Sequence, residues 1–291
     1  MRVTDSMFNE LNQRGLTARR EDVFETTRIA SSGLRVEKPS DDPVAASGAR
    51  AAQGRQKRAE TASRVSSDAI DRLNHVDGVL DGVGSSISRA RELAVLGAND
   101  HLNADDRHDL ATEVAELRKQ VLAMANTQVE GEHVFGGLAV DRAPFDAAGA
   151  YQGDAALREL ELGPGVRIPT QVSGQEAFAA PGGVNVFDVL DRLEAALQAN
   201  DGAGVHDLLG DLDTASSQIA HARSAGGAAQ QSLMQARAAA ERTMDEAQQR
   251  RSALTEADPV SAFTDLIRAQ EALRTALSIA QQLPPASMVG A

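Results

Sequence analysis

The stretch that decides the fold reads AIDRLNHVDGVLDGVGSSISRA, residues 69–90. Apolar or small residues recur in it at alternating steps of three and four, at Ala69, Leu73, Val76, Leu80, Val83, Ile87 and Ala90. Helices that pack along one seam need this spacing, because it keeps a single stripe facing the partner. Followed outward, the alternation extends from Ala45 to Ala94, and only Arg55 and Ser66 interrupt it. It predicts one continuous helix, roughly 75 Å long.

Start and stop signals flank this predicted helix. Asp42 can cap the first turn with its carboxylate, and Pro43 occupies the first helical position, where a missing N–H does no harm. Gly97, followed by a polar loop, marks the end.

A second series with the same spacing runs from Leu208 to Leu254. In both series the large residues lie toward the middle of the chain and the small ones lie nearer the termini. Antiparallel pairing places large beside large and small beside small, so we expect two long antiparallel helices. The predicted core of this rod is Leu73, Val76, Leu80, Val83, Ile87, Leu208, Leu212 and Ile219.

Composition excludes several classes of function. The chain has 291 residues, a formal net charge of −13, no Cys, no Trp and only 3% aromatic residues. Without cysteine there are no disulfides, thiolate metal sites or cysteine nucleophiles. The acidic balance argues against binding to nucleic acid, which needs excess Lys and Arg. No apolar run is long enough to cross a membrane or to act as a cleavable signal, so we expect no membrane insertion.

Shorter helices are predicted around the rod. Asn103 can cap one whose first turn carries Asp105 and Asp106. Another begins at Asp258-Pro259 and has Phe263, Leu266, Gln270, Leu273 and Leu277 at heptad spacing. The first thirty residues also favour a helix, less regularly, with Met7 and Leu11 among its apolar residues and Ser31-Ser32-Gly33 at its end.

The middle of the chain differs in kind. Proline, glycine and half of the aromatic residues concentrate between Asn126 and Asn185. Alternating residues at 157–162, the turn Gly163-Pro164-Gly165 and even spacing after Val166 predict a β-hairpin. A short helix follows from Phe187 to Gln198. The expected fold is mainly α: a long antiparallel coiled-coil or helical-bundle rod built from both termini, with a small, mostly β insert.

No constellation in the sequence supports catalysis, a cofactor or a metal. The six histidines lack the spacing of a helical zinc motif, and the acidic pairs Asp41-Asp42 and Asp105-Asp106 are explained as helix starts. Phosphate-binding, dinucleotide-binding and nucleophile-elbow motifs are missing. We therefore expect no enzyme, with no catalytic, cofactor-binding or metal-ligating residue.

One basic stretch stands out on the first long helix. Arg50, Arg55, Lys57, Arg58 and Arg64 crowd fifteen residues in which only Glu60 opposes them. A nucleic-acid patch is disfavoured because no aromatic residues interleave and the whole chain is acidic. A solvated face, or a face that meets an acidic neighbouring subunit, is the better interpretation.

Residues 31–47, SSGLRVEKPSDDPVAAS, resemble the segment that follows the first helix in the bacterial flagellin superfamily. The Glu92-Leu93-Ala94-Val95 run and the Asp106-Arg107 helix start are similar to flagellin-type sequences too. Within the superfamily, five short segments resemble the hook–filament junction proteins more than flagellins: Met1–Thr4, the turn Pro39-Ser40-Asp41-Asp42-Pro43, Val134–Gly137, Ala143–Phe145 and Tyr151–Asp154. The tail Leu283–Ala291 departs from the apolar ending that is usual in the family.

The resemblance implies a structural subunit that is exported unfolded and secreted into the extracellular flagellum. It implies these partners: other copies of the chain in a ring or tube, a hook-associated protein on the hook side, flagellin on the filament side, and an export chaperone. Terminal helices of such proteins form a coiled coil when neighbours supply the rest of the core, which assigns assembly to Met7, Leu11, Phe263, Leu266, Gln270, Leu273 and Leu277.

Three regions follow from this interpretation. Residues 1–42 with 255–291 form a terminal coiled-coil region, disordered in the monomer and ordered on assembly. Residues 43–130 with 200–254 form the rod, and 131–199 form the insert. Two alternatives stay open: a short flagellin that forms the filament itself, and a cytoplasmic coiled-coil scaffold or signalling protein.

Overall fold

The computed structural model describes residues 5–163 and 166–282. Its elements, in chain order, are α1 (Asp5–Ser32), α2 (Pro43–Gly97), α3 (Ala104–Ala125), β1 (Gln128–Val129), β2 (Glu132–His133), β3 (Glu159–Gly163), β4 (Val166–Pro169), α4 (Gly174–Phe178), α5 (Val186–Gln198), α6 (Gly202–Asp207), α7 (Leu209–Thr255) and α8 (Pro259–Gln282). The mainly helical class predicted from the sequence is confirmed.

The chain forms two compact units. The terminal unit comprises residues 1–59 and 242–291, and the central unit comprises residues 60–241. Each contains part of α2 and part of α7.

Cross-helix pairs in the central unit establish the direction of α2 and α7. Arg91 Nε donates to Asp213 at 2.6 Å. Further back along α2, Arg223 of α7 donates to Asp77 at 2.8 Å and to Asp81 at 2.6 Å. Residue numbers fall along α2 as they rise along α7, so the predicted antiparallel pairing is confirmed. Both predicted ends of α2 are confirmed as well.

The core of the central unit consists of large aliphatic residues and a cluster of four phenylalanines. Phe135, Phe145, Phe178 and Phe187 are fully buried, and their ring centroids lie 5.1–5.8 Å apart in the pairs that touch. Four of the seven phenylalanines of the chain therefore lie at one place, between β2 and the first turn of α5. Aromatic pairs add to the burial energy of the cluster.

Two small antiparallel ladders lie between α3 and α4. β1 pairs with β2, and β3 pairs with β4 in the predicted hairpin, with Leu160 opposite Ile168. Pro164 and Gly165 of the predicted turn lie outside the described residues. Helix α5 begins at Asn185, whose side chain accepts from the backbone N–H of Phe187 and Asp188, and it packs against α3.

A buried arginine holds the turn between α2 and α3. Arg107 is 5% exposed, and its guanidinium donates to the backbone carbonyls of Gly97 at 2.8 Å, Asn99 at 2.8 Å and Leu102 at 3.1 Å, and to the Asn200 side chain. A Cβ on Gly97 would lie 2.3 Å from Leu197 Cδ2, so a larger residue here would displace that buried side chain.

The terminal unit is built around small residues. Its described buried apolar residues are Val36 and five alanines, at positions 45, 52, 59, 247 and 262. A Cβ on Gly48 would lie 3.0 Å from Leu254 Cδ1, so the Leu254 side chain of α7 packs against the bare backbone of Gly48. The small-residue seam that the sequence indicates for the chain ends is therefore present in this unit.

Helices α1 and α8 also belong to the terminal unit and pack along each other. Gly33, at a φ of 70°, ends α1 as predicted, with its N–H bonded to the carbonyl of Ile29. The Asp258-Pro259 start of α8 is confirmed. Met1–Thr4 and the tail Leu283–Ala291 lie outside the described residues, and the three-region division stays a prediction.

Candidate assembly surfaces

Helices α1 and α8 contact each other through half-buried side chains. On α8, Ala262 is buried, and Leu266, Leu273 and Leu277 of the predicted assembly residues are half-buried. On α1, Leu16, Val23 and Ile29 are half-buried, among others. This pair of helices alone leaves much of its apolar surface in water.

A second set of large apolar side chains on these helices points to solvent. Met7 and Leu11 of the predicted set are 54% and 60% exposed, and Phe263 is 57% exposed. Gln270, the polar member of the predicted set, is exposed too. We call the apolar ones, with Phe24, Val260, Ile267 and Ile279, the exposed apolar row. Burying a side chain of this size contributes about 1.5–3 kcal/mol.

Sequence reasoning left four members of this row out of the assembly set: Phe24, Val260, Ile267 and Ile279. Ile267 lies four residues after Phe263, on the same side of α8. The heptad series selected one stripe, whereas α8 carries apolar residues on more than one side. That breadth was the signal that could have found Ile267.

The family turn between α1 and α2 is organised by its two aspartates. Asp41 accepts from the backbone N–H of Lys38 at 2.9 Å and of Glu37 at 3.0 Å, and these bonds lower the pKa of its carboxyl. Asp42 Oδ1 accepts from the N–H of Ala45 at 2.9 Å, which lowers the pKa of Asp42 and caps α2. Pro43 follows as the first residue of α2, and Ser40 is exposed.

An ion-pair network holds the turn to the end of α1. Arg28 donates to Glu25 and to Glu37, each at 2.5 Å, and lies 3.6 Å from Asp41. The hydrogen bonds to Glu25 and Glu37 raise the pKa of Arg28, so its charge is constant at any physiological pH.

Backbone hydrogen bonds join this turn to the link between α7 and α8. The N–H groups of Arg35 and Val36 donate to the carbonyl of Thr255 at 2.8 and 3.1 Å, and the N–H of Ala257 donates to the carbonyl of Gly33 at 2.9 Å. We call these three bonds the backbone clamp. Through it, the C-terminal end of α1 and the start of α8 meet, so the two helices run antiparallel.

The predicted rod core lies in the central unit. Leu73, Val76, Leu80, Val83 and Ile87 are 0–3% exposed on α2, and they belong to one cluster with Leu208, Leu212 and Ile219, which are 1–3% exposed. Leu208 lies one residue before α7, at the cap of α6.

Side-chain groups suited to metal binding or catalysis are scarce among the described residues. Among them, no group of three or more His, Cys, Asp or Glu side chains is placed to hold a metal ion. His133, the buried histidine, bonds Gln128 and the carbonyl of Asn126, each at 2.9 Å, within the insert. No described helix has the length and apolar character to cross a membrane.

The exposed apolar row is a surface of the kind that proteins commonly bury on association. The family described as the bacterial flagellin N-terminal helical region matches residues 5–152, about half of the chain. The chain belongs to the bacterial flagellin family.

Relatives refine the assignment within the family. Flagellar hook-associated protein 3 of Escherichia coli (strain K12) is 33% identical over 213 residues, which cover 68% of this chain and 67% of that protein. A flagellin of Clostridium tyrobutyricum is 31% identical over only 97 residues, 33% of this chain. The stronger resemblance to the junction proteins, inferred from residues 39–43 and the insert, is confirmed.

Solved structures agree on the fold. The structure of a putative flagellar hook-associated protein from Vibrio parahaemolyticus superposes with a TM-score of 0.69 at 22% identity, over 74% of this chain and 99% of that one.

Proposed function

We propose that this protein is a structural subunit of the bacterial flagellum and acts as the adaptor between hook and filament. The observation that carries the proposal is the match to hook-associated protein 3, which extends over two thirds of both chains. The exposed apolar row supports it, because a monomer gains nothing from large apolar side chains in water, whereas an assembling subunit does.

The mechanism is association through the terminal helices. In the assembly, neighbouring copies cover Met7, Leu11 and Phe263 and complete a core in which α1 and α8 supply only part of the seam. The copies form a ring or tube. A hook-associated protein contacts one side of it and flagellin contacts the other, outside the cell, after export with a chaperone. The role is structural and involves no catalysis.

The terminal region, 1–42 with 255–291, is ordered in this proposal by assembly. Limited trypsin digestion of the purified chain should cleave at arginines within these ranges well before it cleaves the 43–254 part. The matched comparison is Arg20 in α1 against Arg142 in the insert, both exposed and both without an ion pair in the described residues. Equal cleavage rates at the two sites would refute assembly-coupled ordering.

A deletion strain tests the function. Cells without this protein should grow hooks, lack attached filaments and release flagellin monomers into the medium, and a plasmid copy should restore filaments. Normal attached filaments in the deletion strain would refute the adaptor role. Immunogold labelling should place the protein at the hook–filament boundary.

The alternatives give different outcomes in the same experiments. A short flagellin would polymerise alone into long filaments and would be labelled along the whole filament. A cytoplasmic scaffold would be absent from sheared flagella and present in the cytosol.

A further inference from the structure

Three arginines near the seam of the terminal unit lack a counter-charge. Arg55 and Arg58 of α2 and Arg250 of α7 are exposed, and none of them forms an ion pair with a carboxylate among the described residues. We call these three residues the basic patch. By contrast, eight arginines of the central unit pair with Asp or Glu: Arg72, Arg89, Arg91, Arg118, Arg158, Arg192, Arg223 and Arg237.

The residues of the basic patch lie near one another. Arg55 and Arg250 occupy seam positions of the two heptad series, and both line one cavity of about 540 Å³. Ala52 and Ala247, both buried, line it as well, and Glu246 is its one carboxylate. Arg58 follows Arg55 by three residues and therefore lies on the same side of α2. Like charges at this spacing repel, so an added carboxylate would stabilise them.

The central unit carries a surface of opposite character. Asp68 and Asp71 of α2, Glu130 of the β1–β2 turn and Glu159 of β3 line a groove of about 720 Å³. All four are exposed, and none has a cation partner in the part of the chain that the structure describes. We call these four residues the acidic groove.

The two arginines in the wall of the groove do not neutralise these carboxylates. Arg72 and Arg158 both bond the same Oε2 of Glu132, at 2.9 and 3.3 Å. The acidic groove and this ion-pair group together hold five carboxylates against two guanidiniums, a net charge of −3, and the basic patch presents three guanidiniums.

We propose that the basic patch of one copy docks into the acidic groove of a second copy. This inference rests on the proposed function, in which copies of the chain surround a common axis. The occupant is assigned by charge complementarity: among the described residues, the terminal unit groups three unpaired cations at one place, and the central unit groups four carboxylates without a cation partner around one groove. Two different surfaces that meet between identical chains form a head-to-tail contact, and such contacts propagate into rings or helical tubes.

Charge reversal and charge exchange test the docking. Flagella are isolated from a deletion strain that expresses one test chain at a time, and copies in contact are joined with a carbodiimide, which couples lysine to carboxylate. Every chain carries Arg250→Lys, which keeps the charge and supplies the amine. In the chain otherwise unchanged, mass spectrometry should find position 250 joined to Asp68, Asp71, Glu130 or Glu159 in a dimer of the chain.

Adding Arg55→Glu and Arg58→Glu should lower the yield of this dimer at least about tenfold, because like charges then face each other. Adding Asp68→Arg and Asp71→Arg to that variant should restore the yield to within about twofold of the starting chain, because the charges are exchanged. The matched control is Arg142→Glu with Arg167→Glu, which makes the same change in net charge at exposed arginines outside the patch. It should leave the yield unchanged.

Several outcomes would overturn the docking. They are an undiminished yield after reversal, no recovery after exchange, an equal loss in the control, or coupling of position 250 to a different protein. Circular dichroism of each purified variant shows that the fold is retained. If the unmodified chain is absent from isolated flagella, the proposed function itself fails. If it is present and reversal has no effect, only the docking fails.

Discussion

The central unit and the terminal unit use the same three-and-four spacing but fill it with residues of different size. In the central unit the seam holds Leu73, Leu80 and Ile87 and is backed by four buried phenylalanines. In the terminal unit the buried seam is almost entirely alanine, and Phe24 and Phe263 are 73% and 57% exposed.

This difference in the size of the buried residues indicates which unit contributes more to the folding free energy of the chain. Because burial energy scales with apolar area, the central unit contains most of the folding free energy of a single chain. The terminal unit buries mostly alanine and leaves several of its large apolar side chains exposed. The following substitutions test this contrast, from the largest expected effect to the smallest.

Leu80→Asp should have the largest effect. Leu80 is 0% exposed, so the carboxylate would be buried without a partner, and we expect a loss of about 4 kcal/mol or more in unfolding free energy. Urea denaturation measures it. Leu96→Asp is the matched control on the same helix, since Leu96 is 53% exposed, and it should change stability by less than about 0.5 kcal/mol. A small effect at Leu80 would mean that the assigned seam is wrong.

Arg107→Ala should cost somewhat less. The substitution leaves the carbonyls of Gly97, Asn99 and Leu102 without the guanidinium that now bonds them, and only the first of these bonds is fully buried, so the expected cost is about 1–3 kcal/mol. Arg142→Ala, at an exposed arginine of the same unit, is the control and should be neutral within about 0.5 kcal/mol. If the two variants melt alike, the turn between α2 and α3 does not depend on Arg107.

Ala45→Leu tests the small-residue seam of the terminal unit. Ala45 is 4% exposed, and the extra volume should destabilise this unit by about 1–3 kcal/mol. Hydrogen exchange at residues 43–59 measures the loss locally. Val44→Leu, at a neighbouring residue that is 81% exposed, should leave the exchange unchanged. Faster exchange in both variants, or in neither, would contradict a close-packed alanine seam.

Lowering the pH should slightly reduce the stability that the turn at Ser40–Pro43 contributes to the fold. The pKa values of Asp41 and Asp42 are lowered in the fold by backbone N–H donors, from an ordinary value of 3.8. Their stabilisation is therefore complete above that value and is lost as the pH falls through the lowered pKa values. Thermal melting between pH 6 and pH 2.5 should show the decline.

The variant Asp41→Asn should make that decline shallower, because the side chain no longer titrates. Asp141→Asn, in an exposed loop of the insert, should follow the natural chain. An Asp41→Asn chain with an unaltered pH profile would show that the turn gains nothing from the Asp41 charge.

Much of the fold could be predicted because spacing and caps are local signals. The bounds of α2 follow from Asp42, Pro43 and Gly97, and the antiparallel pairing follows from residue size along two heptad series. The hairpin was found from alternation around Leu160. Each of these signals lies within a few residues or within a regular period.

Long-range features could not be found in this way. The aromatic cluster joins Phe135, Phe145, Phe178 and Phe187 from separate loops and helices, and no local pattern links them. Arg107 was predicted only as part of the start of α3. Its guanidinium bonds the side chain of Asn200, which lies 93 residues later in the chain. On α8, apolar residues lie on more than one side of the helix. Which of them are exposed depends on the side that contacts α1, and a single heptad series does not identify that side.

The backbone clamp has a consequence for how this sequence can change over generations. Its three bonds join N–H and carbonyl groups of Gly33, Arg35, Val36, Thr255 and Ala257, and none of them uses a side chain. At the three donor positions, any residue except proline supplies the N–H. Substitutions can therefore accumulate at these three positions without changing the path of the main chain. Distant relatives with little sequence identity can keep the same backbone contacts between the turn after α1 and the link before α8.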